Sequence, residues 1–263
     1  MEYEGVIVDL DGTVYRGEQV LDGAAAAVAA LRERGLDVLF VTNNPTRSPA
    51  GYVERLAELG IDASEEEVVS AGAVTASFLA DRHADDRTFL IGSEGLHEQL
   101  RDGGVTLTEE HDDADVVVTS HHYGFDYRDL TEGLWALERA DAFYGTDPDL
   151  TYPDSDGRDY PGSGAITRAV AGVAEREPDR VLGKPSAAMV DLVTDRLGCE
   201  PAACLVVGDG IDTDITMGER AGMTTVFVLT GRHDREDAES AGVTPDYVLD
   251  SFGDVPGLLD RIV

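Results

Sequence analysis

Short apolar runs alternate with segments of helical length in the first and last thirds of the chain. Val6-Ile7-Val8 and Cys204-Leu205-Val206-Val207 are continuous apolar runs, which are typical of strands buried on both faces. Helices between such strands predict a parallel sheet covered by helices on both sides. The predicted strands are 6–8, 36–41, 203–207, 224–229 and 246–249, and the predicted helices are 22–34, 48–59, 186–197, 213–221, 234–241 and a last one near the C-terminus.

The middle of the chain has the pattern of a second α/β unit, inserted between the early and late parts of the first. We therefore predict a core formed by 1–79 and 180–263 and an inserted domain at 80–179. A Pro-, Gly- and Asp-rich stretch inside the insertion indicates a loop. The elements predicted in the insertion are strands 87–92, 115–119 and 142–145, helices 94–102 and 127–140, and the loop 146–164.

Polar segments follow the strands of the core, and ligand sites in open parallel sheets lie beyond the carboxyl ends of the strands. Asp9-Leu10-Asp11-Gly12-Thr13 follows the first strand, and Thr42-Asn43-Asn44 follows the second. Gly183-Lys184-Pro185 precedes a late helix, and a segment from Gly208 to Asp214 follows strand 203–207. We expect these four segments to converge on one rim of the sheet.

The residue types in these segments suit phosphoryl transfer through a carboxylate. Asp9 and Asp11 are two residues apart at a strand end, so their side chains point the same way. A carboxylate can attack phosphorus and form an aspartyl-phosphate. Because carboxylate and phosphate are both negative, a cation must neutralise them, and Mg²⁺ prefers such oxygen ligands. We expect carboxylates from Asp9 and Asp209, a backbone carbonyl from Asp11, and water-orienting contacts from Asp214.

Other side chains in the same segments can complete the reaction. Asp11 can protonate the leaving oxygen and later activate the hydrolytic water. Thr42, Asn43 and Lys184 can offer donors and a positive charge to the phosphate oxygens. Of the 20 Lys and Arg residues in the chain, Lys184 is the only lysine. Arginine is therefore available to this chain but is not used at position 184. The compact ammonium and the broad guanidinium are not interchangeable beside a phosphate.

The four segments resemble the motifs of the haloacid dehalogenase-like hydrolase superfamily, and more narrowly those of its NagD-like (class IIA) phosphatases. Asp-Leu-Asp-Gly-Thr-Val-Tyr, Thr-Asn-Asn, Gly-Lys-Pro and Gly-Asp-Gly-Ile-Asp-Thr-Asp occur in the family's order around an insertion. The resemblance implies a Rossmann-like core with an α/β cap, Mg²⁺, Asp9 as nucleophile and Asp11 as acid/base. It also groups Gly12 and Asn44 with the phosphate-binding residues. The residues it assigns to the metal are Asp9, Asp11, Asp209 and Asp214.

Departures from the family pattern lie mainly in the insertion and concern substrate choice rather than the reaction. Ser120-His121-His122-Tyr123 stands where the family commonly has Gly-Leu-Asp-Arg, and Asp147 stands where it often has Asn. We therefore predict that His121, His122 and Asp147 influence substrate choice, with a purely structural histidine pair as the alternative. If Asp147 faces the site, it would disfavour a second carboxylate on the substrate.

The chain carries 53 Asp and Glu residues against 20 Lys and Arg, a formal net charge of −33. Such a surface repels nucleic acid and anionic membranes, and no apolar run reaches the roughly 18 residues of a membrane span. The acidic start differs from a secretory signal, so we expect a cytoplasmic protein with reduced cysteines. The evenly acidic, lysine-poor composition resembles that of proteins from extreme halophiles, where concentrated salt screens the self-repulsion.

The sequence therefore predicts a Mg²⁺-dependent phosphatase that acts on a small phosphorylated metabolite through an aspartyl-phosphate. Sugar phosphates, glycerol phosphate, phosphoglycolate and nitrophenyl phosphate are all open as substrates, and the resemblance permits a homodimer. A phosphomutase and a catalytically silent phosphate-binding regulator on the same fold are the alternatives. Asp11 disfavours a dehalogenase, which does not need a second Asp, and the insertion disfavours a signalling receiver.

Overall fold

The computed structural model of the 263-residue chain describes residues 3–153, 158–240 and 242–262. The strands are β1 (Gly5–Asp9), β2 (Tyr15–Arg16), β3 (Gln19–Val20), β4 (Asp37–Thr42), β5 (Val68–Ser70), β6 (Arg87–Ile91), β7 (Thr106–Thr108), β8 (Val116–Thr119), β9 (Ala142–Gly145), β10 (Thr151–Pro153), β11 (Asp159–Pro161), β12 (Arg180–Val181), β13 (Cys204–Gly208), β14 (Thr224–Val228) and β15 (Tyr247–Leu249). The α-helices are α1 (Ala24–Glu33), α2 (Pro49–Glu58), α3 (Ala71–Arg82), α4 (Glu94–Asp102), α5 (Tyr127–Leu137), α6 (Ser163–Ala174), α7 (Ala187–Leu197), α8 (Thr216–Ala221), α9 (Arg235–Ser240) and α10 (Val255–Ile262).

Contacts between residues divide the chain into two compact units. The first unit comprises Met1–Thr42, Pro49–Val69 and Met189–Val263. The second comprises Asn43–Ser48 and Ser70–Ala188. The domain boundaries near 80 and 180 stay a prediction, since these units divide the chain at somewhat different positions and give the short segment after β4 to the second unit.

The first unit is built on a six-stranded sheet in the order β15-β14-β13-β1-β4-β5. The pairs from β15 to β4 are parallel, and Val8 of β1 lies opposite Val207 of β13 and Phe40 of β4. All five residues of β1 and of β13 are buried, as expected for central strands covered on both faces. The parallel register brings the carboxyl ends of β1 and β13 to the same edge of the sheet.

The second unit has its own parallel sheet of five strands in the order β12-β9-β8-β6-β7. Its core is apolar, with Phe143 of β9, Val117 of β8 and Val170 of α6 each fully buried. The predicted α/β class, a parallel-sheet core with an inserted α/β unit, is confirmed.

Several elements were not predicted from the hydrophobic pattern. Helix α3 consists mainly of small and apolar residues that are buried around much of the helix, so no amphipathic stripe marks it. Helix α6 does bury one face, including Ile166 and Val170, but the Pro- and Gly-rich stretch that leads into it was predicted as a loop. The predicted loop 146–164 contains the antiparallel hairpin β10–β11, while 154–157 lie outside the described residues. The predicted helix 213–221 is an α-helix only from Thr216, because a π-helical turn at Ile211–Ile215 precedes it.

None of the helices in the described part of the chain combines the length and the apolar character needed to cross a bilayer.

Candidate active site

Three buried carboxylates meet at the carboxyl edge of the first unit's sheet. Asp9 is the last residue of β1, Asp209 directly follows β13, and Asp214 lies in the π-helical turn after it. One carboxylate oxygen from each residue lies within 4.8 Å of the others. Each residue is at most 8% exposed, so water can screen their mutual repulsion only weakly. The arrangement is one that a cation would stabilise.

Backbone and hydroxyl donors hold two of these carboxylates in place. Asp209 Oδ2 accepts a hydrogen bond from the backbone N–H of Arg232 at 2.7 Å. Asp214 Oδ2 accepts from the backbone N–H of Gly210 at 3.1 Å and from Thr213 Oγ1 at 3.3 Å. These donors come from the loops after β13 and β14, so the ends of two parallel strands fix the geometry.

Gly12 forms the tight turn that follows β1. Its φ of 89° lies in the left-handed region, where glycine is favoured. Its N–H donates to the carbonyl of Tyr15 at 2.8 Å, and its own carbonyl accepts from Thr230 Oγ1 at 2.6 Å. A Cβ at this position would lie 2.5 Å from Asp209 Oδ2, so the close approach of the turn to that carboxylate requires glycine.

The donor set fits a hard divalent cation such as Mg²⁺. Carboxylate oxygens are the ligands that Mg²⁺ prefers, and three of them converge here without a cationic side chain in the group itself. The hydroxyl of Thr13, in the same segment as Asp9, is also buried and has no hydrogen-bond partner among the described residues. The fourth residue predicted for the metal, Asp11, was expected to offer its backbone carbonyl; its side chain is exposed and is not in this group of carboxylates.

Asn43 and Lys184, predicted to contact phosphate, bind each other inside the second unit. The backbone N–H of Lys184 donates to Asn43 Oδ1 at 2.7 Å, and Asn43 Nδ2 donates to the carbonyl of Lys184 at 3.2 Å. Asn43 Nδ2 also donates to Asp149 Oδ2 at 3.3 Å. Lys184 is only 2% exposed and precedes a cis Pro185. The second and third motifs are therefore joined by a buried, reciprocal amide pair.

The other two residues predicted to contact phosphate have different surroundings. Thr42 is buried at the end of β4, within the first unit. Asn44 is exposed, and its Oδ1 accepts from the N–H and the hydroxyl of Thr46 at 3.0 and 2.7 Å. This pattern is typical of an Asx turn, so the Asn44 carbonyl oxygen stabilises the loop.

Asp147, predicted to influence substrate choice, is buried in the second unit. Its Oδ2 accepts from Thr146 Oγ1 at 3.0 Å, and its Oδ1 accepts from the backbone N–H of Asp149 at 3.2 Å. Burial, and then the nearby charge of Asp149, raise the pKa of Asp147 to about 7. Its carboxyl group thus takes up a proton much more readily than an exposed aspartate does.

The two predicted histidines have separate surroundings. His121 is 7% exposed, and its Nε2 lies 3.2 Å from the hydroxyl of Tyr152, which donates to Tyr123 Oη at 2.9 Å. His121 Nδ1 is buried with no hydrogen-bond partner in the described part of the chain. Burial, and then the adjacent His122, lower the pKa of His121 and favour the neutral ring. His122 is half-buried, with Nε2 3.8 Å from Asp129.

Sequence reasoning missed two groups that shape these sites. Thr230 and Arg232 contact the Gly12 turn and Asp209, and they follow β14. The rule that sites lie beyond strand ends could have found them, since they occupy the same edge as the motifs. Tyr152 and Asp149 belong to the stretch predicted as a loop, and no residue pattern marks their pairing with His121 and Asn43.

Comparison with known proteins gives matches along almost the whole chain. A haloacid dehalogenase-like hydrolase family model matches residues 6–106, and a second model, of HAD-like hydrolases, matches residues 181–255. The sugar-phosphatase AraL of Bacillus subtilis is 34% identical over 257 residues, which cover 98% of this chain and 93% of that protein.

Two solved structures are also similar. The p-nitrophenyl phosphatase from Archaeoglobus fulgidus has a TM-score of 0.92 and 35% identity, and the match covers 98% of this chain and 100% of that one. A glycerol phosphate phosphatase from Mycobacterium tuberculosis, in complex with magnesium, has a TM-score of 0.87 and 32% identity over 95% of this chain and 75% of that one.

The Gly12 turn gives a stability prediction with a matched control. Gly12→Ala and Gly17→Ala both force alanine into the left-handed region, at a cost of about 1–2 kcal/mol each. Only at Gly12 would the new Cβ also strike Asp209, whereas nothing lies within 4 Å at Gly17. We expect Gly12→Ala to lower the free energy of unfolding by a further ~1–3 kcal/mol, measured by urea unfolding at fixed salt. Equal losses of unfolding free energy in Gly12→Ala and Gly17→Ala would show that a Cβ at position 12 does not clash with Asp209.

Asp147 gives a prediction of pH-dependent stability. Because its pKa is raised in the folded state, the folded protein keeps a proton that the unfolded chain releases above about pH 4. The contribution of Asp147 to stability is therefore fully present below that pH and is lost as the pH rises through about 7. Relative to Asp147→Asn, the wild-type free energy of unfolding should fall across this window, by at most about 4 kcal/mol. Parallel urea-unfolding profiles for the two proteins would contradict the prediction.

Proposed function

This chain belongs to the haloacid dehalogenase-like hydrolases, among the NagD-like phosphatases, and from that premise we propose that it hydrolyses small phosphomonoesters with Mg²⁺ through an aspartyl-phosphate. It is a phosphoric monoester hydrolase, and the metal and the covalent intermediate are the parts that we propose. The observation that carries the proposal is the group of three buried carboxylates at the ends of β1 and β13.

Asp9 is the nucleophile in this proposal. Its position as the last residue of a central strand holds the carboxylate rigidly, and its burial removes competing water. One of its oxygens forms the new bond to phosphorus, and the bond from phosphorus to the leaving oxygen breaks. A Mg²⁺ ion bound by Asp9, Asp209 and Asp214 would neutralise the charge of the carboxylates and the phosphate.

Asp11 is the general acid and base in this proposal. Two residues beyond the nucleophile, it is exposed, which suits a group that must exchange protons with substrate and water. It gives a proton to the leaving oxygen in the first step and takes one from the attacking water in the second. Since the same side chain acts in both directions, it returns to its starting state after each turnover.

We assign phosphate binding to Gly12, Thr42, Asn43, Asn44 and Lys184. The reciprocal hydrogen bonds of Asn43 and Lys184 fix the backbone that carries the only lysine side chain of the chain. A positive charge that is already in place when the phosphate binds costs no reorganisation during the reaction. A rigid Lys184 ammonium would therefore bind the phosphoryl group that is being transferred more strongly than the neutral alcohol product.

We assign substrate choice to the polar residues of the second unit, namely His121, His122 and Asp147. The relatives named above act on a sugar phosphate, nitrophenyl phosphate and glycerol phosphate, so the class of small phosphomonoesters is common to them. His121 offers a neutral ring with a buried Nδ1, and Asp147 offers a carboxyl whose charge changes near neutral pH. Both groups suit a leaving group rich in hydroxyls better than one with a second negative charge.

The proposal predicts phosphate release that depends on Mg²⁺ and on Asp9. Wild-type protein in molar KCl should release phosphate from a panel of sugar phosphates, glycerol phosphate, phosphoglycolate and nitrophenyl phosphate, and a chelator should stop it. Asp9→Asn should lower turnover by at least about 10³-fold, because no acyl phosphate can form. Asp11→Asn should slow it by about 10²–10⁴-fold.

The matched control for these variants is Asp212→Asn, which removes an exposed carboxylate from the same segment as Asp214 and should leave turnover unchanged. Phosphate release that persists in the chelator would contradict the role of the metal. A phospho-enzyme formed by Asp9→Asn in a single turnover would contradict the choice of nucleophile.

Lys184→Arg tests whether the site needs an ammonium rather than any positive charge. The guanidinium is larger than the ammonium, and position 184 is almost fully buried, so we expect kcat/KM to fall by about 10²-fold. Arg180→Lys, an exchange of the same two residue types at an exposed position nearby, should have no effect. Equal kcat/KM for Lys184→Arg and wild type, both shown to be folded, would remove Lys184 from the proposal.

A further inference from the structure

Two cysteines, the only ones in the chain, lie side by side in the first unit. Cys199 follows α7, where Gly198 at φ 64° ends the helix, and Cys204 begins β13 after a short 3-10 turn at Pro201–Ala203. Both are free thiols, and their Sγ atoms lie 2.9 Å apart. A disulfide bond is about 2.05 Å long, so roughly 1 Å of further approach would join them.

The two thiols differ in their access to solvent. Cys199 is partly exposed and lines a surface cavity of about 480 Å³, whereas Cys204 is fully buried. Cys204 Sγ also donates to the carbonyl of Glu200 at 3.5 Å. Burial, and then the neighbouring Cys199, raise the pKa of Cys204 and keep that thiol protonated. A reagent in the cavity would therefore meet Cys199 first.

The charge of the cavity limits the reagents that can enter it. Glu4, Asp195 and Glu200 are among its lining residues, and none of the described residues that line it is a lysine or an arginine. The negative charge of these three carboxylates disfavours anionic oxidants such as oxidised glutathione, while an uncharged hydroperoxide is not repelled.

We propose that Cys199 and Cys204 form a modification site at which hydrogen peroxide, a small uncharged hydroperoxide, produces an intramolecular disulfide. In the first step the Cys199 sulfur takes the hydroxyl of the peroxide, the O–O bond breaks, and water leaves with the thiol proton. In the second step the Cys204 sulfur bonds to the Cys199 sulfur, and the hydroxyl departs with the Cys204 proton as a second water. The two thiols lose two electrons in all, and the peroxide gains them.

The site is separate from the catalytic carboxylates. Cys204 is at the beginning of β13, and Asp209 follows the other end of that strand. A Cβ on Gly5, which begins β1, would lie 3.4 Å from Cys199 Sγ, so the pair packs at the amino ends of the two central strands. We therefore expect the disulfide to raise the midpoint of urea unfolding, because it closes a loop in the unfolded chain, and to leave phosphate release unchanged.

The test is oxidation of the full-length protein, followed by counting thiols under denaturing conditions. Hydrogen peroxide should reduce the count from two to none, and peptide mapping should find Cys199 joined to Cys204 within one chain. Dithiothreitol should restore both thiols. Oxidised glutathione at the same concentration should react more slowly.

Two single variants separate the steps. Cys204→Ala should leave Cys199 as a sulfenic acid that a 1,3-dione probe captures, and Cys199→Ser should leave the Cys204 thiol unreacted. Disulfides between chains, equal reactivity of the two variants, or two intact thiols in wild-type protein after peroxide treatment would overturn the proposal. None of these outcomes depends on the phosphatase activity.

Discussion

The mutual repulsion of three buried carboxylates is the constraint on which the catalytic part of this structure depends. Asp9, Asp209 and Asp214 bring their oxygens within 4.8 Å of one another in surroundings that water barely reaches. Such a group is unfavourable unless a cation compensates it, because burial and like charges both disfavour ionised carboxyls. Central parallel strands and backbone donors from the following loops hold the group together, and the same rigidity suits the metal that we propose it binds.

Glycine and backbone groups at the strand ends position the functional side chains. The Gly12 turn lies so close to Asp209 that a side chain has no room there, and the backbone N–H of Arg232 donates to the same carboxylate. In the second unit, the side-chain amide of Asn43 forms two hydrogen bonds with the main chain of Lys184. Main-chain contacts thus fix the groups that the chemistry needs.

The features that could be predicted from the sequence are those marked by a pattern of residue types. Continuous apolar runs identified β1 and β13, and the rule that ligands bind beyond strand ends led to Asp9 and Asp209. The same rule points to the segment after β14 but not to Arg232 within it, because the contribution of Arg232 is a backbone N–H that any residue except proline can supply. The sequence could not predict the burial of Asp147, which depends on how the insertion folds. It also could not predict the contact of His121 with Tyr152, because Tyr152 lies in a hairpin within a stretch that was predicted as a loop.

The most direct test of the central claim is the free energy of unfolding as a function of Mg²⁺ concentration, in molar KCl that screens unspecific binding to the acidic surface. If the three carboxylates bind the ion, wild-type stability should rise by about 1.4 kcal/mol for each tenfold increase in Mg²⁺ above the Kd. Asp214→Asn, which keeps the size of the side chain, should lose this dependence, and Asp212→Asn should keep it. The same dependence on Mg²⁺ in Asp214→Asn and in wild type would contradict the claim.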